Sequence, residues 1–175
     1  MKKFFCLTGI CIYCLISCTD STKPATDTTA APEQSQAEKN KDVNRAIMKA
    51  IEAGDSAAID TLIAADAIDH SGPNEIEMKG DSLKKMLSHM HSDVSDLKMD
   101  IKESAAEGDY VFTLSTMTGT TKTADMGMPA NTKMDMTGVD VVKFKDGKAV
   151  EHWSYMDPKD MMKMMPPDAS KMRYH

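Results

Sequence analysis

The sequence predicts an α+β domain in which N-terminal helices pack on an antiparallel sheet, and two observations predict it. Apolar residues recur at helical spacing as far as Met90, then at a spacing of two after residue 95. Helices first and a strand meander afterwards form segregated layers around one core. A chain of 175 residues has room for one such domain and little more.

The elements follow in order. Val43, Ile47, Ala50 and Ile51 share one helical face, and Gly54 offers a C-terminal stop. Asp55 caps a second helix that turns Ile59, Leu62 and Ile63 inward. A short strand covers Ala67–Asp69. A third helix starts after Gly80, capped by Asp81 or Ser82, with Leu83, Met86, Leu87 and Met90 on one stripe. Leu97, Met99 and Ile101 alternate with polar residues as in a half-buried strand. Glu107-Gly108-Asp109 turns the chain into a strand from Tyr110 to Gly119, and a loop rich in Thr, Asp, Met and Gly covers about 121–135. The next strand runs from about Met136 to Lys145. Asp146-Gly147 marks a hairpin, because both residues tolerate positive φ, and the partner strand is Ala149–Met156. Asp157-Pro158 reads as an N-cap and first helical residue of a short Met-rich helix.

Ahead of the domain, Lys2 and Lys3 precede an apolar run from Phe4 to Ile16. A membrane-spanning helix needs about 20 residues, so this shorter run has the form of a signal peptide. Leu15-Ile16-Ser17-Cys18 is similar to a bacterial lipobox. The resemblance implies cleavage after Ser17, lipidation of Cys18 and export to the cell envelope; a plain cleaved signal and an uncleaved anchor are the alternatives. Thr19 rather than Asp follows Cys18, which favours the outer membrane, although Asp20 leaves the point open. From Thr19 to Asp42 there is no Val, Ile, Leu, Met or aromatic residue, too little apolar surface to offset the entropy of ordering. The expected boundaries are a signal peptide over 1–17, lipidated Cys18 and a disordered tether over 18–38, and a domain with a Met-rich C-terminal helix and tail over 39–175.

Cys6, Cys11, Cys14 and Cys18 are the only cysteines, so maturation leaves no free thiol and excludes both a disulfide framework and cysteine catalysis. Loss of Lys2 and Lys3 takes the formal charge from −6 to −8. Such an acidic chain lacks the basic face that nucleic acid requires. The same balance excludes polybasic docking, so contact with the membrane is expected through the lipid anchor only.

Four segments carry a family resemblance. They are the helix pair from Ile47 to Ala65; Asp66-Ala67-Ile68-Asp69-His70 followed by Gly80; the Gly108-Asp109-Tyr110-Val111 turn; and the block from Asp140 to Trp153, which contains Asp146-Gly147-Lys148 and Glu151-His152-Trp153. Over about residues 40–160 the chain resembles the SnoaL-like branch of the nuclear transport factor 2 (NTF2-like) superfamily. The resemblance implies a cone-shaped fold, with a strongly curved antiparallel sheet around helices and a cavity at the open end. It implies relatives that are polyketide cyclases, steroid isomerases and dehydratases beside members without catalysis, and homodimers through the outer sheet face. Fold membership alone does not choose among these.

In such a cone, a desolvated carboxylate or histidine serves as acid or base. The catalytic candidates are Asp140, His152 and Asp157. Asp140 shares a strand face with Val142 and Phe144, whereas the place of Asp157 before Pro158 favours capping a helix. If Lys145 pairs with Lys148, Asp140 lies opposite Glu151–Trp153, beside His152. His70, Trp153 and Tyr155 are the ligand-binding candidates. His152 and Trp153 are strand neighbours and face opposite sides unless the strand bulges. Relatives often read Glu-His-Trp-Asp where this chain has Ser154, which weakens the transfer of roles.

Methionine is abundant, with 17 in the chain. Met126, Met128, Met134 and Met136 flank the long loop, Met161, Met162, Met164 and Met165 crowd the last helix, and Met90 sits between His89 and His91. Thioethers are soft ligands for Cu(I), but side chains two apart on a helix do not face each other, and methionine is also pliable core filler. No metal motif and no cofactor motif is present. Three functions follow in order: a lipid-anchored domain binding a small apolar or amphipathic molecule; a metal-independent cyclase, isomerase or hydratase; and a copper-handling lipoprotein. Convergent polar groups inside the cone favour the second.

Overall fold

The computed structural model describes residues 34–71, 77–124 and 128–164. The signal peptide, Cys18, the tether as far as residue 33, Met126 and the tail from Met165 lie outside the described residues. Helix α1 (Gln36–Ala53) starts inside the stretch expected to be tether. Ser35 caps it by accepting from the Glu38 N–H at 3.2 Å, in the Ser-x-x-Glu spacing of a capping box. A polar first turn needs no apolar residue, which is why composition alone set the boundary too late. Gly54, at φ 67°, ends the helix and donates its N–H to the Ala50 and Ile51 carbonyls.

Helix α2 (Ser56–Leu62) is capped by Asp55, which accepts from the Ala58 N–H at 3.0 Å, and it runs straight into strand β1 (Ile63–Asp69). Strand β2 (Met78–Lys79) leads into helix α3 (Gly80–Asp93). The expected caps Asp81 and Ser82 lie within α3 instead. Its N-cap is Lys79, with no side-chain cap bond, because Gly80 at φ 54° turns the chain one residue earlier.

Strands β3 (Val94–Glu107), β4 (Tyr110–Thr121), β5 (Lys133–Lys145) and β6 (Lys148–Met156) form the expected antiparallel meander. Among the described residues six strands run in the order β2-β1-β6-β5-β4-β3. One pairing is parallel: β1 lies along the free edge of β6. Two register shifts in β3 and one in β6 bend the sheet around α1 and α3. Close packing adds to the curl, since a Cβ on Gly119 would run into Val94. At the β5–β6 turn, Asp146 and Gly147 take φ 51° and 75°, the positive pair the hairpin requires.

Ile47, Ile51, Ile59, Leu83, Val111 and Phe144 form the centre of the core. Met128, Met134 and Met136 are buried with them, so these three loop-flanking methionines act as core filler. Helix α4 (Pro158–Met164) closes the described chain, with Asp157 accepting from the Lys159 N–H at 2.8 Å.

Candidate functional site

Strand register decides which side chains meet. In β4 the inward set includes Val111, Thr113 and Ser115; in β5 it includes Met136, Asp140, Val142 and Phe144. On β6 an extra residue, Val150, lies between the partners of Lys143 and Phe144. This bulge lets Ala149 and His152 share the inner face, and it sets Asp140 opposite Ser154 rather than within Glu151–Trp153. Without it, Trp153 and not His152 would have turned inward. The parallel β1–β6 register then sets Asp69 beside His152.

Three strands thereby assemble one chain of ionisable groups. His152 Nε2 lies 3.3 Å from Asp140 Oδ1, and His152 Nδ1 lies 3.2 Å from Asp69 Oδ2. Ser115 Oγ donates to Asp140 Oδ2 at 3.1 Å. Ser71 holds Asp69 through both its N–H, at 2.8 Å, and its hydroxyl. Burial alone would push the His152 imidazole down, yet hydrogen bonds and charge from Asp140 and Asp69 win, and its pKa rises to about 9. Burial likewise opposes ionisation of Asp69 and Asp140, but the His152 contact outweighs it and both carboxyls sit below their usual range. The expectation of a carboxylate raised by desolvation is therefore corrected: the imidazolium between the two acids reverses the sign. Asp140 keeps 23% of its side-chain surface accessible and His152 31%, against 9% for Asp69.

The other sequence candidates lie elsewhere. Trp153 and Tyr155 project from the opposite, outer face, where Tyr155 is 62% exposed, so they do not wall the Asp140 side. His70 is also outside: its ring stacks on Trp153 with centroids 4.7 Å apart, between Glu77 at 3.0 Å and Glu151 at 3.1 Å. Asp157 is exposed and caps α4, the role its Asp-Pro context favoured, and has no hydrogen bond to Asp140, His152 or Asp69. Asp69, Ser115 and Ser154 were missed as site residues. Asp69 lies next to His70 in the Asp66–His70 segment, but its meeting with His152 depends on a parallel pairing that no local pattern reports.

Above the triad, Asn44 of α1 donates to Thr113 Oγ1 at 2.9 Å, fixing the helix against the strand next to Asp140. Clefts of about 400 Å³ between α2 and α3, and about 530 Å³ beside the β5–β6 turn, are lined by other residues than the triad. Among the described residues no group of three or more His, Cys, Asp or Glu side chains is arranged to hold a metal ion. Nor is any helix among them long and apolar enough to cross a membrane.

A family profile described as SnoaL-like polyketide cyclase matches residues 41–164. Among solved structures, the fold is similar to TsrD from Streptomyces laurentii, with TM-score 0.63 and 21% identity over 75% of this chain and 97% of that one. It is also similar to IdmH from Streptomyces antibioticus, with TM-score 0.60 and 23% identity over 71% and 96%. A third similar structure is an NTF2-like protein of unknown function from Mesorhizobium loti, with TM-score 0.56 and 18% identity over 71% and 95%. No curated protein matches the chain.

Proposed function

The chain belongs to the SnoaL-like polyketide cyclase family, and from that premise we propose that it moves a proton on a small apolar or amphipathic molecule at the inner face of its sheet. Asp140 takes the proton and returns it. His152, pinned by Asp69, keeps that carboxylate ionised and aimed. Carboxylate and imidazolium supply the acid–base chemistry of a cyclase, isomerase or hydratase. The observation that carries this reading is the convergence of three titratable groups from three strands, two of which remain accessible.

A second reading is a binding domain without catalysis. It is favoured by the fact that both ring nitrogens of His152 and both oxygens of Asp140 already have protein partners. Deuterium incorporation next to the carbonyl of a neutral methyl ketone in heavy water separates the two. Under the first reading the protein accelerates exchange, and Asp140→Asn slows it by about 100-fold or more. Exchange no faster than in buffer leaves the binding domain.

The same proposal places the mature protein in the bacterial envelope, at the outer membrane, tethered by lipid on Cys18. Lys2, Lys3, the short apolar run and Leu15-Ile16-Ser17-Cys18 support it. Cys18→Ala should yield an unlipidated precursor, and persistent acyl labelling would overturn the assignment. A homodimer through the outer face is proposed from the exposure of Tyr110, Phe112, Leu114 and Val139 there. Sedimentation of the domain at micromolar concentration checks it, and a monomer removes it.

A further inference from the structure

We infer that this site selects by charge, accepting carbonyl compounds that are uncharged or carry an ammonium group and rejecting anionic ones. The inference rests on the proton-transfer reading and deepens it. The inner-face positions of β3 to β6 carry no Lys or Arg among the described residues; Lys143, the central lysine of the sheet, points outward onto Glu151 at 2.8 Å. Among the described residues the only cationic group at those strand positions is His152, and it lies between two carboxylates. With both acids ionised, the site carries a net charge of about −1 when the imidazole is protonated and about −2 when it is not. Either state repels an anion.

Neutral donors do not compensate. Ser115 gives its hydroxyl proton to Asp140 at 3.1 Å, and Ser154 hydrogen-bonds the same carboxylate. The Asn44 amide is directed at Thr113. An incoming carboxylate would find a negative partner and hydroxyls already committed to it. An ammonium group would find the accessible edge of Asp140. At separations of about 6 Å in a partly screened interior, one net charge changes relative affinity by about tenfold to a hundredfold.

The test uses the full mature chain and three acetophenones bearing a para methyl, para trimethylammonium or para carboxylate group. Binding is read by saturation-transfer NMR at neutral pH and low salt. Deuterium exchange is followed in the same tubes, with each rate divided by that of the same ketone in acetate buffer. The expected order is ammonium at or above methyl, and carboxylate weaker by about tenfold or more. Asp140→Asn, which removes one negative charge, should narrow the ammonium-to-carboxylate ratio by about threefold or more. A carboxylate that binds or exchanges as well as the ammonium compound overturns charge selection while leaving proton transfer standing. Loss of exchange for all three with the binding order intact removes the proton-transfer reading and leaves a charge-selective binding site. An unaltered ratio in Asp140→Asn also overturns the inference.

Discussion

The junction of β1 and β6 carries a histidine between two carboxylates on each of its faces, and the two clusters differ in what neutralises the acids. Inside, Asp69 and Asp140 flank His152. Outside, Glu77 and Glu151 flank His70. The inner acids have one cation between them. The outer acids each have a lysine as well: Lys79 holds Glu77 below its usual range and Lys143 does the same for Glu151. Exposure of the histidines does not separate the clusters, since the His70 side chain is 22% accessible and that of His152 31%. Burial of one acid on each side does, with Asp69 at 9% and Glu77 at 40%, whereas Asp140 at 23% and Glu151 at 28% are alike. An ion cluster is structurally indispensable where no second cation and little water stand ready to replace the first.

The largest expected effect follows directly. His152→Ala leaves two desolvated carboxylates unpaired and should cost about 2–4 kcal/mol in urea denaturation at pH 7. His70→Ala leaves each glutamate its lysine and should cost far less. Equal losses for the two variants would break the comparison.

A pH titration of stability sharpens it. The folded pKa of His152, about 9, lies above its usual value of 6.5. Its contribution is therefore fully present below about pH 6.5 and is lost as pH rises to about 9. The decline should amount to about 2–3 kcal/mol across that window. Asp69 and Asp140 are lowered, so their contribution is present above their usual value of 3.8 and lost as pH falls below it. The alkaline decline should vanish in His152→Ala and persist in His70→Ala. Its survival in His152→Ala would assign it to another group.

The contrast between faces also marks what the sequence made legible. Gly54 and Asp146-Gly147 act through their own backbone and Asp55 through a carboxylate that caps an N–H three residues on, so the end of α1, the start of α2 and the β5–β6 hairpin could be read locally. That Asp140 and His152 lie on neighbouring strands was legible too, because that hairpin brings the two strands together, but their facing the same side depends on the bulge at Val150. The side assigned to Trp153 and Tyr155 was not. One extra residue at Val150 exchanges the inward and outward sets of β6 beyond it, and neither composition nor alternation reveals a bulge. Asp69 was hidden for a different reason. Its partner lies more than eighty residues away across a parallel pairing, a tertiary fact with no local signature.

The smallest expected effect tests whether the inner cluster depends on the sheet alone or also on the helix that roofs it. Helix α1 reaches the inner face through Asn44 and Thr113, the direct cross-strand partner of Asp140. Its first turn is held by Ser35 on the Glu38 N–H and by Gln36 on Asn40 at 2.9 Å. Deleting residues 18–33 keeps those contacts, and the Gln34–Asp42 hydrogen bond with them, and should leave stability unchanged. Deleting residues 18–38 removes the cap and should cost about 1 kcal/mol. That revises the tether boundary drawn from composition, under which both deletions would be neutral. In both proteins the His152 ring should titrate as in the full chain, because its partners come from β1 and β5, and NMR of the imidazole C–H signals reads this directly. A His152 titration that shifts with the longer deletion would mean that α1 sets the inner electrostatics as well as covering them. A loss already present in the shorter deletion would mean that the segment before Gln34 packs on the domain.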